Sequence, residues 1–138
     1  MGPKAYVPKM TRKAESDDPR LARVTRICLS LPEGMCERYG SHATYRVRGK
    51  PFVYYLDDHH GDGIVAIACR RIPGENKILI DEDPHKFYMP SYIGPRGWVA
   101  LRLDLGPIDW PEVEELIRES YRRAAPAKLA AQVEPLGD

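Results

Sequence analysis

The densest chemistry in this chain is Asp57-Asp58-His59-His60-Gly61-Asp62-Gly63, where carboxylates and imidazoles crowd into one short stretch. Such groups ligate divalent metals or move protons. His59, His60 and Asp62 are the weak metal candidates. Gly61-Asp62-Gly63 is equally good hairpin-turn chemistry, and neighbouring histidines at a strand end point to opposite sides. Convergence on one ion would require the loop to curl, and spacing supplies no further ligand or supporting partner. No metal and no cofactor is expected.

A second group is basic: Arg46, Arg48, Lys50, Arg70, Arg71 and Arg96, with Arg102 further on and Tyr55, Tyr92 and Trp98 interleaved. Guanidinium forks grip phosphate oxygens and aromatic rings stack on bases, so the set suits nucleic acid. The plain alternative is that arginines on an outer sheet face supply solubility while their stems cover apolar surface. The third group lies in SYIGPRGW, where Arg96 sits between Pro95 and Gly97 at a turn. Tyr92, Arg96 and Trp98 form a ligand or partner candidate there, beside the reading that Gly-Pro-x-Gly is first of all turn chemistry. Cys28, Cys36 and Cys69 lack metal or redox spacing and are expected to be buried free thiols. Without a glycine-rich phosphate loop, a G-x-S-x-G or an H-E-x-x-H, no enzyme is expected.

The elements that must position these groups are legible from periodicity. Asp18 and Pro19 start a helix in which Leu21, Val24, Ile27, Cys28 and Leu31 recur at helical spacing. Alternation then marks a strand with Tyr45 and Val47 on one face and Thr44, Arg46 and Arg48 on the other. A second strand places Phe52, Tyr54 and Leu56 together, and IVAIAC and WVALRLD supply two more. Residues 74–83 fit a strand or a short helix on pattern alone. Asp109 caps a last helix, with Pro111 in its first turn and a stripe of Val113, Leu116, Ile117, Tyr121 and Ala124. Helix, meander and helix argue for a two-layer α+β fold.

The chain has 138 residues, enough for one domain, with 43% hydrophobic and 30% charged residues, which excludes the disordered class. A net charge of +1 excludes a polycation, so any nucleic-acid affinity must come from a local patch. Residues 1–16 are expected to be a flexible basic arm, 17–131 a single domain and 132–138 a frayed tail. Apolar runs too short for a bilayer and no signal peptide point to a cytoplasmic protein.

Four segments in order, LPEGMCERYG, GKPFVYYLDDHHGDG, FYMPSYIGPRGWVALRLD and IDWPEVEELIRESYRRAAPAKLAA, resemble the MmcQ/YjbR family of small bacterial proteins over about residues 20–131. The resemblance implies a CyaY-like sandwich, an antiparallel sheet packed against N- and C-terminal helices, with residues near 74–83 helical. It also implies a DNA-binding role, taken from a double-wing comparison. The iron chemistry of frataxin-type proteins does not follow, because it needs an acidic ridge that this basic first helix lacks. The resulting expectation is a non-enzymatic monomer binding DNA through the basic sheet face. The alternative is a protein or small-ligand adaptor using the concave side of the sheet near Tyr92, Arg96 and Trp98.

Overall fold

The computed structural model describes residues 18–133, so the expected basic arm and residues 134–138 lie outside it. Helix α1 (Pro19–Leu29) starts as its sequence dictates: the Asp18 side chain accepts the Arg20 N–H at 2.8 Å and Pro19 fills the first turn. It buries Leu21, Val24 and Cys28, and Thr25 Oγ1 meets the Tyr45 hydroxyl at 2.7 Å. The strands β1 (Met35–Tyr39), β2 (His42–Val47), β3 (Lys50–Asp57), β4 (Val65–Arg70), β5 (Phe87–Tyr88) and β6 (Trp98–Arg102) form one antiparallel sheet in the order β1-β2-β3-β4-β6-β5. Helix α2 (Glu75–Glu82) follows β4, confirming the helical reading of that segment. Helices α3 (Trp110–Ala124) and α4 (Ala127–Ala130) close the chain, α3 capped by Asp109 as its sequence requires.

The helices share one side of the sheet. Against them lie Tyr45 and Val47 of β2, Ile67 and Cys69 of β4, and Val99 and Leu101 of β6, all buried. Cys28 and Cys69 are buried free thiols, whereas Cys36 is only half-buried. The last described residue, Val133, is also buried, and Arg122 donates to the Val133 and Ala130 carbonyls, so packing extends two residues beyond the expected domain end. No helix among the described residues is long and apolar enough to cross a membrane.

One irregularity resets the sequence-derived faces. Tyr45 pairs with Val53 but Arg46 pairs with Pro51, leaving Phe52 as an extra residue in β3. Phe52 is thereby turned to the helices, where its ring meets Tyr121 edge-on at 5.3 Å, while Tyr54 and Leu56 lie on the opposite face. Phe52 does not share their side, and Tyr55, expected among the outward aromatics, is buried toward the helices. Ser120 of α3 holds the bulge: its hydroxyl accepts the Arg70 N–H at 2.7 Å and donates to the Phe52 carbonyl at 2.5 Å. Ser120→Ala leaves two buried backbone groups without partners and is expected to cost about 2–4 kcal/mol, measurable by urea denaturation.

Candidate cleft on the second face of the sheet

The face away from the helices is apolar in its middle. Ala66, Ala68 and Ala100 are fully buried there and Trp98 is 2% exposed, although none of the four belongs to the core cluster packed against the described helices. Their register explains the space: Ala68 pairs with Ala100 across β4 and β6, and Tyr54 pairs with Ala68 from β3. Small side chains in adjacent strands leave a trough.

Two loops turn the trough into a cleft of about 350 Å³. The floor and one wall come from Tyr54, Leu56 and Ala68, and Tyr88 of β5 adds another side. Pro90, Ser91, Tyr92 and Ile93 reach over from the segment before β6, while His59, His60 and Asp62 arrive from the turn after β3. The histidine turn and the SYIGPRGW segment thus meet at one site, as nothing in their separate spacing required.

The histidine turn does curl. Asp58 at φ 58° and His60 at φ 57° are left-handed, the Asp58 carboxylate accepts the Gly63 N–H at 2.6 Å, and the Asp62 carboxylate accepts the Ile64 N–H at 2.9 Å. The rings of His59 and His60 come within 3.9 Å, His42 of β2 stands 5.7 Å from His59, and Tyr92 stands 6.5 Å from His60. Among the described residues no group of three His, Cys, Asp or Glu side chains could hold a metal ion. Burial lowers the His59 pKa first, and the neighbouring His60 and His42 lower it further against an opposing pull from Asp62. The Tyr88 hydroxyl is pushed up to about 12, mainly by burial and then by the Asp62 charge.

The overhanging segment is held by a residue that sequence reading passed over. Asn76 is 1% exposed, and its amide donates to the Gly94 and Trp98 carbonyls, each at 2.9 Å. Its oxygen accepts the Gly74 and Lys77 N–H groups at 3.1 and 2.9 Å. The only sequence hint was a polar residue on the inward side of a short helix. Gly97, at φ 105°, lets the chain pass the Arg71 carbonyl, which a Cβ would approach to 2.5 Å.

The basic residues divide between the outer sheet face, where Arg46 and Arg70 each interact electrostatically with Tyr54 and Arg70 also with Arg96, and positions elsewhere. Arg46 pairs with Glu37 at 2.9 Å and Arg48 with Glu33 at 2.6 Å. Arg48 and Lys50 flank Gly49 in the exposed β2–β3 turn, and Arg71 has a buried Nε near α2. Arg70 donates to the Pro51 carbonyl at 2.8 Å and lies 5.0 Å over Trp98, which in turn packs on Tyr54 at 5.1 Å. Arg96 is exposed in a short 3₁₀ turn, Gly94–Arg96. Of the adaptor candidates, Tyr92 lines the cleft, Trp98 supports Tyr54 from beside it, and Arg96 lies three residues past Ile93 outside its lining.

Fold and site together define an α+β protein with one face of a six-stranded sheet buried by helices and a ligand-sized cleft on the other. The family model YjbR matches residues 29–123, and the chain belongs to the YjbR family. The solved structure of Deinococcus radiodurans protein DR2400, described as carrying the domain DUF419, is similar with a TM-score of 0.61. The similarity covers 75% of this chain and 76% of that one at 17% identity, and so speaks to the fold. No curated protein matches.

Asn76→Ala removes the partner of two carbonyls and two N–H groups and is expected to cost about 3 kcal/mol, with faster amide exchange across residues 93–98 by hydrogen-exchange mass spectrometry. A lowered folded-state pKa for His59 means that the unfolded chain takes up its proton first, so this stability is present above the unfolded value and lost as pH falls through it. Melting temperature is expected to decline from about pH 7 to about pH 5.5, and less in His59→Asn.

Proposed function

We propose that this protein is a small-molecule-binding module whose ligand occupies the cleft between the alanine-floored sheet face and the two loops. The observation that carries the reading is the cleft itself: about 350 Å³, apolar at its base and polar at its rim, closed by loops held in place from elsewhere in the fold. Ligand sites commonly enclose about 300–1,000 Å³ and combine apolar walls with a few placed polar groups. Here the polar set is the tyrosine hydroxyls, Ser91, the two imidazoles and Asp62.

Binding without catalysis fits the side chains present. Cys28 and Cys69 lie on the helix side, where burial drives both thiols toward the protonated form, and burial does the same to the half-buried Cys36. Thiols held protonated are poor nucleophiles.

DNA binding is the second reading, favoured by the position of Lys50 and Arg96, which have no carboxylate partner among the described residues. Against it, Arg46 and Arg48 are already matched by glutamates, Arg70 is turned to the Pro51 carbonyl and Arg71 lies beside α2. Exposed ion pairs contribute only about 0–1 kcal/mol, so a phosphate could displace them, but it would have to do so at both Arg46 and Arg48.

A fragment screen by ligand-observed NMR, followed by titration, separates the readings. Cleft binders are expected to weaken at least about tenfold in Ala68→Leu, whose side chain fills the floor, while an amide spectrum verifies that the variant is folded. Titration of a labelled duplex at about 50 and about 200 mM salt is expected to show no tight binding. Fragments indifferent to Ala68→Leu, together with salt-sensitive micromolar DNA binding, would reverse the order of the two readings.

A further inference from the structure

We infer that the cleft selects a compact organic cation, of the quaternary or methylated ammonium type, over neutral and anionic molecules of the same shape. This rests on the small-molecule reading and names the ligand's chemical class.

The electrostatics of the lining point that way. Tyr54 from β3, Tyr88 from β5 and Tyr92 from the overhanging segment bring three aromatic rings to one cavity from three separate elements. An aromatic face is negative above its ring, and several rings around one volume attract a cation that lies within about 6 Å of their centroids. Asp62 adds a carboxylate at the same cleft, using one oxygen on the Ile64 N–H. Among the described residues no lysine or arginine lines the cavity.

The nearby cations are engaged elsewhere: Arg46 and Arg70 each interact electrostatically with Tyr54, but Arg46 is paired with Glu37 and Arg70 is turned to the Pro51 carbonyl and the Trp98 ring. Arg102 of β6 interacts electrostatically with Asp62 and Tyr88, but its guanidinium is held by both Asp104 carboxylate oxygens at 3.0 Å each. His59 faces His42 from β2 and His60 and Asp62 from its own turn, and His60 in turn faces Tyr92 from the overhanging segment. An imidazole kept from protonating adds no positive charge, and burial with two neighbouring histidines does this for His59. An anion would meet Asp62 with no fixed cation to receive it. A purely apolar molecule would leave Asp62 and the ring faces unused.

Acidification should therefore expel the ligand. Once His59 protonates, positive charge stands beside the bound ammonium, so affinity falls as pH falls. An anionic ligand would show the opposite slope.

The test compares choline, its neutral carbon isostere 3,3-dimethylbutan-1-ol and the anion pivalate by amide chemical-shift titration of the full chain. Choline is expected to shift the signals of residues 59–62 and 88–93 and to bind at least about tenfold more tightly than the alcohol, a step of about 1.4 kcal/mol. Its affinity should fall from about pH 7.5 to about pH 5.5. Asp62→Asn, which keeps an acceptor for the Ile64 N–H, and Tyr92→Leu, which keeps bulk without a ring, should each weaken choline and leave the alcohol unchanged. Equal or tighter binding of the alcohol or of pivalate overturns the cation preference while the cleft reading stands. Silence from all three probes overturns it as well, and the unbiased fragment screen with Ala68→Leu then decides the cleft reading separately.

Discussion

The side-chain amide of Asn76 is the interaction on which the second face of the sheet depends. Its two donors and its acceptor are all engaged with main chain, from Gly74 at the start of α2 to Gly94 and Trp98 at either end of the turn before β6. A buried amide satisfied at every position fixes geometry, because any shift of the loop leaves a carbonyl in an apolar setting without a partner. The segment that overhangs the cleft has no regular strand to stabilise it. Asn76 supplies the hydrogen bonds that a ladder would otherwise provide.

The sheet has been given two kinds of face by one alternation. Large branched residues of β4 and β6 face the helices, where area removed from water stabilises the fold at roughly 25 cal/mol per Å². The intervening positions are Ala66, Ala68 and Ala100, which reserve a trough. Backbone strain gathers at its rim: of the five non-glycine residues described with left-handed backbone, Asp58, His60 and Tyr92 lie in the two segments that border the cleft. Tyr92 is also 85% exposed, so a large aromatic ring is held at the opening in a conformation that costs about 1 kcal/mol or more. Strain of this kind persists where surrounding contacts over-determine it, and function is the usual reason for its retention.

Charge follows a different logic. With +1 net, the chain spends its arginines on nearby carboxylates, as in the pairs Arg46 with Glu37, Arg48 with Glu33 and Arg102 with Asp104. A residue count cannot distinguish such pairs from a phosphate-binding patch, since both show arginine on alternating strand positions. The partner glutamates sit nine and fifteen residues from Arg46 and Arg48, beyond the reach of any strand period.

Sequence alone determined helices α1 and α3 with their caps, the alternation of β2 and the family resemblance, since each is set by neighbours within a few residues: Asp18 reaching the Arg20 N–H, Asp109 reaching the Glu112 N–H, apolar side chains recurring at fixed intervals. Even the histidine turn and SYIGPRGW stood out by composition. Tertiary structure decided that these segments border one cavity, that the extra residue Phe52 reverses the faces of β3, and that Asn76 anchors the overhang. The physical reason is range. Periodicity and capping are local energies, whereas a cleft is made where side chains distant in the chain satisfy one another's buried hydrogen bonds, and no repeat in the sequence records which carbonyl an amide will find.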